Sequence, residues 1–202
     1  MDETRYVTVA WEMWINDSFV VPVLNGDNYT HKPPLLFWMI HGLWKVFGVN
    51  EIVLRFIPLA FSLANVLLIY ILGRSLWPED RKTAHYASLI LATTIWWLVF
   101  SPLIRFDMML SFWVLLGVLG IALAAVNNLA RGWVLLSLAI GGGLLTKGPV
   151  VFLHILPVGI FVFWWNKGRK LPAGWHIKFL ASLLVGTGIG LVWAIPAVIE
   201  GG

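Results

Sequence analysis

Hydrophobic residues run through this chain in long blocks, with polar residues confined to the short breaks between them. Six blocks follow residue 51: Ile52–Leu76, Ala84–Ser101, Met108–Val126, Trp133–Thr146, Val150–Trp165 and Ile177–Ile199. A helix needs about 20 mostly apolar residues to cross the hydrocarbon core of a bilayer, so the blocks predict about six spans. The fourth and fifth are short and meet at "TKGP", Thr146 to Pro149, where glycine and proline turn the chain. Upstream the pattern changes. Val7, Ala10, Trp11, Trp14 and Ile15 recur at helical spacing, while Asp2, Glu3, Arg5 and Glu12 leave the other face polar. This predicts an amphipathic helix lying in the membrane interface with its tryptophans at headgroup depth. Asn16-Asp17-Ser18 ends it, and "NGDN", Asn25 to Asn28, reads as a turn because Gly and Asn tolerate positive φ. Leu35–Phe47 is apolar but short and carries His41 and Lys45, which suits a re-entrant or interfacial helix better than a crossing.

The fold class predicted is all-α: a polytopic membrane helical bundle of about six spans, with an N-terminal amphipathic juxtamembrane helix and loop. Residues 1–50 form the outer-face layer and residues 51–202 the bundle of the same single domain. The chain is expected to be incomplete at both ends, with a preceding span and later parts lying outside it.

Composition agrees with the pattern. Hydrophobic residues make up 59% of the 202 positions and charged residues 12%, against about 25% charged in soluble domains. There is no cysteine, which excludes disulfides, thiolate metal sites and cysteine nucleophiles. The net charge of +4 gains meaning from its placement. Arg74, Arg81, Lys82, Arg131, Lys167, Arg169, Lys170 and Lys178 fall in alternate loops, which the positive-inside rule makes cytoplasmic. The other loops carry eight of the ten acidic residues (Asp2, Glu3, Glu12, Asp17, Asp27, Glu51, Asp107 and Glu200). The basic balance therefore reports membrane topology, not nucleic-acid binding.

Several ionisable residues of the outer face are candidates for chemistry: Asp2-Glu3, His31-Lys32, Arg105 with Asp107, and Lys147. Each also has a plainer reading. Asp2 suits a helix cap and Glu3 a first-turn acid. Lys32 suits a solvated or snorkelling cation, and His31 a surface residue. Arg105 and Asp107 are close enough in sequence to pair with each other, and Arg5, Lys45 and Arg55 read as anchors. Lys147 is harder to dismiss, since ionisable groups beside spans are costly. Together the acids offer a general base for a hydroxyl and the lysines a cradle for a departing phosphate. The histidines, at 31, 41, 85, 154 and 176, form no metal motif. No cofactor is required by these residues, and a divalent metal stays open.

"DETRY" (Asp2 to Tyr6), "NGDNYTHKPPLLFW" (Asn25 to Trp38), "RFDMML" and "LLTKGP" occur in this order. In this the chain resembles the GT-C type membrane glycosyltransferases, specifically the bacterial relatives of protein O-mannosyltransferases and of the lipid A aminoarabinose transferase. The resemblance implies a transferase that takes a sugar from a polyprenyl-phosphate donor, with inversion, to a lipid, glycan or protein acceptor. It implies a site on the periplasmic face of the bacterial inner membrane, among membrane lipids. It makes Asp2, Glu3 and Asp107 the catalytic acids, with Asp2 the base, and Lys32 and Lys147 the donor-phosphate contacts. Tyr6, Tyr29, His31 and Arg105 would shape the pocket. His31 stands where the family motif often has glutamate, so contacts made through that glutamate do not carry over. Two other readings stay open. One is a flippase for a lipid-linked sugar, though transporters usually carry repeats and midplane sites. The other is an inactive fragment of such a transferase.

Overall fold

The computed structural model describes residues 2–201, Asp2 by its backbone alone. The described residues are mainly helical, with one small hairpin. Helix α1 (Asp2–Ile15) leads into the hairpin β1 (Val23–Leu24) and β2 (Asp27–Asn28), then α2 (Leu35–Phe47). The bundle follows as α3 (Glu51–Leu54), α4 (Phe56–Leu76), α5 (Arg81–Thr93), α6 (Ile95–Phe100) and α7 (Phe106–Ala125). It ends with α8 (Arg131–Lys147), α9 (Val150–Ile160), α10 (Val162–Trp165) and α11 (Trp175–Gly201).

Among the described residues, three runs are long and apolar enough to cross a bilayer: Glu51–Leu76, Phe106–Ala125 and Trp175–Gly201. They match the first, third and sixth expected spans. The others are shorter or interrupted. The second breaks at Thr94, whose backbone is extended. There the hydroxyls of Thr93 and Thr94 donate back to the carbonyls of Leu89 and Ile90. The fifth is cut at Phe161, whose backbone (φ −89°, ψ 22°) leaves the helical region. Helix α8 is continuous for 17 residues.

Helix α8 is closely packed along one stretch, because glycine lets its neighbours reach its backbone. Successive residues point about 100° apart around a helix, and Gly141, Gly142 and Gly143 touch three different partners. A Cβ on Gly141 would lie 2.7 Å from Ile189 of α11, one on Gly142 2.4 Å from Trp113 of α7, and one on Gly143 2.4 Å from Val151 of α9. One end of α8 is tighter still. Gly120 of α7 and Gly132 of α8 face each other, and a Cβ on either would meet the other's carbonyl oxygen, at 2.6 and 2.4 Å. Small residues at such crossings replace the hydrophobic drive that lipid cannot supply.

The outer layer adds packing that the sequence pattern does not specify. The stripe that α1 buries is not the one its tryptophans mark. Tyr6, Val9, Ala10 and Met13 are buried against Leu36, Phe37, Ile40 and Trp44 of α2, while Trp11 and Ile15 stay 43% and 57% exposed. Helix α2 thus packs into a shared core with α1. His41 is buried and its Nε2–H donates to the Ala10 carbonyl, 2.8 Å away, tying α2 to α1. "NGDN" is the tip of a two-residue hairpin, with Val23 opposite Asn28 and Leu24 opposite Asp27. Asn25 and Gly26 both take positive φ, 56° and 81°, as a type I′ turn requires. The Glu12 carboxylate accepts from both turn N–H groups, at 2.8 and 3.2 Å.

Two predictions follow from this packing. Gly120→Val drives a branched side chain into a backbone carbonyl and should destabilise the chain by about 1–3 kcal/mol or more, read as a lower melting temperature in detergent. Burial pushes the His41 imidazole below its ordinary pKa, against the opposing pull of its bond to Ala10. The folded chain therefore holds it neutral where the unfolded chain takes up a proton, near pH 6.5. Stability should be intact above that pH and decline as pH falls through the two values, with a shallower decline in His41→Gln.

Candidate active site

The loops at one end of the bundle meet the outer layer, and most of the expected site residues gather there. Asp107 lies in the first turn of α7 and Lys147 is the last residue of α8. Each charge suits its helix end, and the close packing of α7 on α8 brings the two ends together. Lys147 Nζ lies 2.8 Å from Asp107 Oδ1, and Arg105 Nε lies 3.1 Å from Asp107 Oδ2. Both carboxylate oxygens are thus occupied by cations. Gly148, with φ 68°, then reverses the chain into α9.

Around this pair lies a cavity of about 330 Å³ lined by Arg5, Tyr6, Tyr29, His31, Lys32, Arg105, Phe106, Asp107 and Lys147. Its floor is aromatic. Tyr6 meets Phe106 edge-on at 4.9 Å, Phe106 meets Phe37 at 5.7 Å, and Tyr29 stands 5.4 Å from His31. Its walls are cationic. Arg5, Lys32, Arg105 and Lys147 face one described carboxylate, Asp107, and Lys32 makes no ion pair among the described residues. Such an excess of positive charge around a small opening suits an anion with several acceptor oxygens.

The expected residues divide. Lys32, Asp107, Lys147, Tyr6, Tyr29, His31 and Arg105 come together. Glu3 does not. Its carboxylate pairs with Arg55 at 3.2 Å and accepts from the Ile104 N–H at 3.3 Å. It lines a separate cleft of about 350 Å³ on the other flank of α1, with Thr4, Thr8, Trp11 and Arg55. Glu3 therefore anchors α1 to the loop before α7, because residues two apart on a helix point to different sides. The side chain of Asp2 lies outside the described residues. Arg5, read from sequence as an anchor, belongs to the cavity; its guanidinium carbon sits 5.8 Å from the Tyr6 ring centre. The available signal was its register, three residues after Asp2 and adjacent to Tyr6. Among the described residues no three His, Asp or Glu side chains converge as a metal set.

A groove of about 410 Å³ continues from the cavity, sharing His31 and Lys147 and running along Leu144, Gly190, Leu191 and Trp193 between α8 and α11. The fold and site together define a helical membrane protein with a cationic cavity at one end and an apolar groove leading from it. Residues 31–198 match the family model described as dolichyl-phosphate-mannose-protein mannosyltransferase, and the chain belongs to that family. It is 35% identical over 199 residues to the undecaprenyl phosphate-alpha-4-amino-4-deoxy-L-arabinose arabinosyl transferase of Pseudomonas aeruginosa strain UCBPP-PA14. That alignment covers 96% of this chain and 35% of the relative. The chain thus spans about a third of the length of the curated relatives it matches. Its fold matches part of ArnT from Cupriavidus metallidurans. The apo structure superposes with a TM-score of 0.82 at 20% identity, covering 98% of this chain and 37% of that one. The structure bound to undecaprenyl phosphate superposes with a TM-score of 0.79 at 19% identity, covering 99% and 37%.

The Asp107–Lys147 contact should register in a double-mutant cycle. Asp107→Asn and Lys147→Met, alone and together, should show a favourable coupling of about 1 kcal/mol, since both groups are partly exposed. Additive melting temperatures would mean that the pair does not hold α7 to α8.

Proposed function

We propose that this chain is the donor-binding part of a membrane glycosyltransferase that moves a sugar from a polyprenyl-phosphate carrier to a lipid, glycan or protein hydroxyl on the periplasmic face. The observation that carries the reading is the cavity of about 330 Å³ around which Arg5, Lys32, Arg105 and Lys147 gather, continuous with an apolar groove. The relatives named above, which act on or bind undecaprenyl-phosphate compounds, support it. In this reading the phosphate sits among the cations and the isoprenoid tail lies along α8 and α11. Asp107 orients Arg105 and Lys147, since both its oxygens are engaged by them. Glu3 acts as a positioning residue through Arg55 and Ile104.

Position 2 falls three and four residues before Arg5 and Tyr6, which both line the cavity, and on a helix such positions share a face. Asp2 is the proposed base. It takes the proton of the acceptor hydroxyl while the hydroxyl oxygen bonds to the anomeric carbon. The bond from that carbon to the phosphate oxygen breaks, with inversion, and polyprenyl phosphate departs with the electron pair. Charge grows on the phosphate oxygen as this happens, where the cations stabilise it most. The finer architecture belongs to the same proposal: α5 with α6, α8, and α9 with α10 also cross, giving about six spans in the inner membrane, roofed by residues 1–50.

Two measurements test this. Asp2→Asn in the complete enzyme should abolish transfer yet bind undecaprenyl phosphate normally, whereas Lys32→Ala should weaken that binding about 10- to 100-fold, as expected for loss of a hydrogen bond to a charged group. Unchanged binding in Lys32→Ala would sink the phosphate assignment; lipid movement without sugar transfer would favour a flippase. The chain has no cysteine, so single cysteines at Gly26 and Gly168 can be labelled cleanly. Impermeant maleimide should reach position 26 from the periplasm and position 168 from the cytoplasm.

A further inference from the structure

A second cavity, of about 320 Å³, lies at the opposite end of the bundle. It is a lateral slot over α7, flanked by α4 on one side and by α9, α10 and the loop after α10 on the other. Val118 and Ala122 of α7 and Val126 just past its end, four residues apart, form its floor, and Leu72 and Leu76 of α4 form one apolar wall. The far wall ends in Trp165, Asn166, Lys167 and Arg169. The chain turns there through positive φ at Lys167 and Gly168, 51° and 72°. Asn166 is 3% exposed. Its Nδ2 donates to the Arg169 carbonyl at 3.3 Å, but its Oδ1 is buried with no partner. An unpaired buried acceptor is costly, by about 1–3 kcal/mol, and Asn166 is among the residues that line the slot.

We propose that this slot binds one anionic phospholipid with a hydroxyl-bearing headgroup, phosphatidylglycerol in kind. An acyl chain lies on Val118, Ala122 and Val126. The phosphate meets Lys167 and Arg169 at the rim, and a headgroup hydroxyl donates to Asn166 Oδ1. Three independent features select this occupant. The slot is apolar in its depth and basic at its mouth, which matches a lipid and neither a free phosphate nor a neutral detergent. Trp77 and Trp165 stand at the mouth, where indoles favour the headgroup boundary. The unpartnered Oδ1 asks for a donor, which a glycerol headgroup has and a choline headgroup lacks. The inference does not rest on the transferase reading.

Native mass spectrometry of the full chain in detergent, with dioleoyl-phosphatidylglycerol, dioleoyl-phosphatidylcholine or glycerol 3-phosphate, tests it. One phosphatidylglycerol per chain should be retained, at least tenfold more tightly than phosphatidylcholine. Glycerol 3-phosphate should not displace it. Lys167→Gln with Arg169→Gln, at exposed positions that leave the fold intact, should lower retention about tenfold, and Asn166→Leu should narrow the preference over phosphatidylcholine. Equal retention of the two lipids, full displacement by glycerol 3-phosphate, or undiminished retention in the double variant would each overturn the proposal.

Discussion

Three successive glycines, Gly141, Gly142 and Gly143, let three helices reach the backbone of α8 at one level. Hydrocarbon solvates a leucine as well as a protein core does, so helices in a bilayer associate through close fit. With α7, α9 and α11 in direct contact, α8 has no freedom to slide or rotate without driving a side chain into a neighbour. Its last residue, Lys147, is therefore delivered to a fixed point, and α7, packed on it through Gly120 and Gly132, delivers Asp107 beside it. The polar end of the molecule owes its geometry to contacts buried well below it.

Electrostatics then complete what packing begins. Four cations around one small cavity repel each other, and placing them there costs free energy that folding alone would not recover. Asp107 offsets part of that cost by engaging Arg105 and Lys147 with separate oxygens. The aromatic floor contributes more, since the face of the Tyr6 ring attracts the Arg5 guanidinium. Among the described residues that line the cavity, cations still outnumber carboxylates.

Much of this was legible in the sequence because it depends on local chemistry. The ends of α2, α7 and α11 follow from runs of apolar residues, and the hairpin tip follows from Asn25-Gly26. What stayed hidden depended on contacts between distant segments. Nothing local shows that Tyr6, Val9 and Met13, rather than Trp11 and Ile15, form the core side of α1, since both stripes are apolar and the choice is made by α2. Glu3 and Arg5 look alike as flanking charges; their different fates are set by Arg55 and Ile104 on one side and by Phe106 and Asp107 on the other. The interruption at Thr94 lies within a stretch whose hydropathy alone reads as a continuous span.

The segment between α1 and α2 is pinned from three directions. Glu12 holds the hairpin tip, Trp38 Nε1 donates to the Phe19 carbonyl, and Trp193 Nε1 donates to the Val20 carbonyl, the last two at 2.7 and 2.8 Å. Asn28 Nδ2 adds a bond to the carbonyl of Gly201 at the end of α11, at 2.8 Å. A loop held this way has already surrendered its conformational entropy in folding. A ligand arriving beside Lys32 has little left to order, so its contacts are realised as affinity instead of being spent on immobilising the backbone. The same bonds tie α11 directly to the loop that lines the cavity.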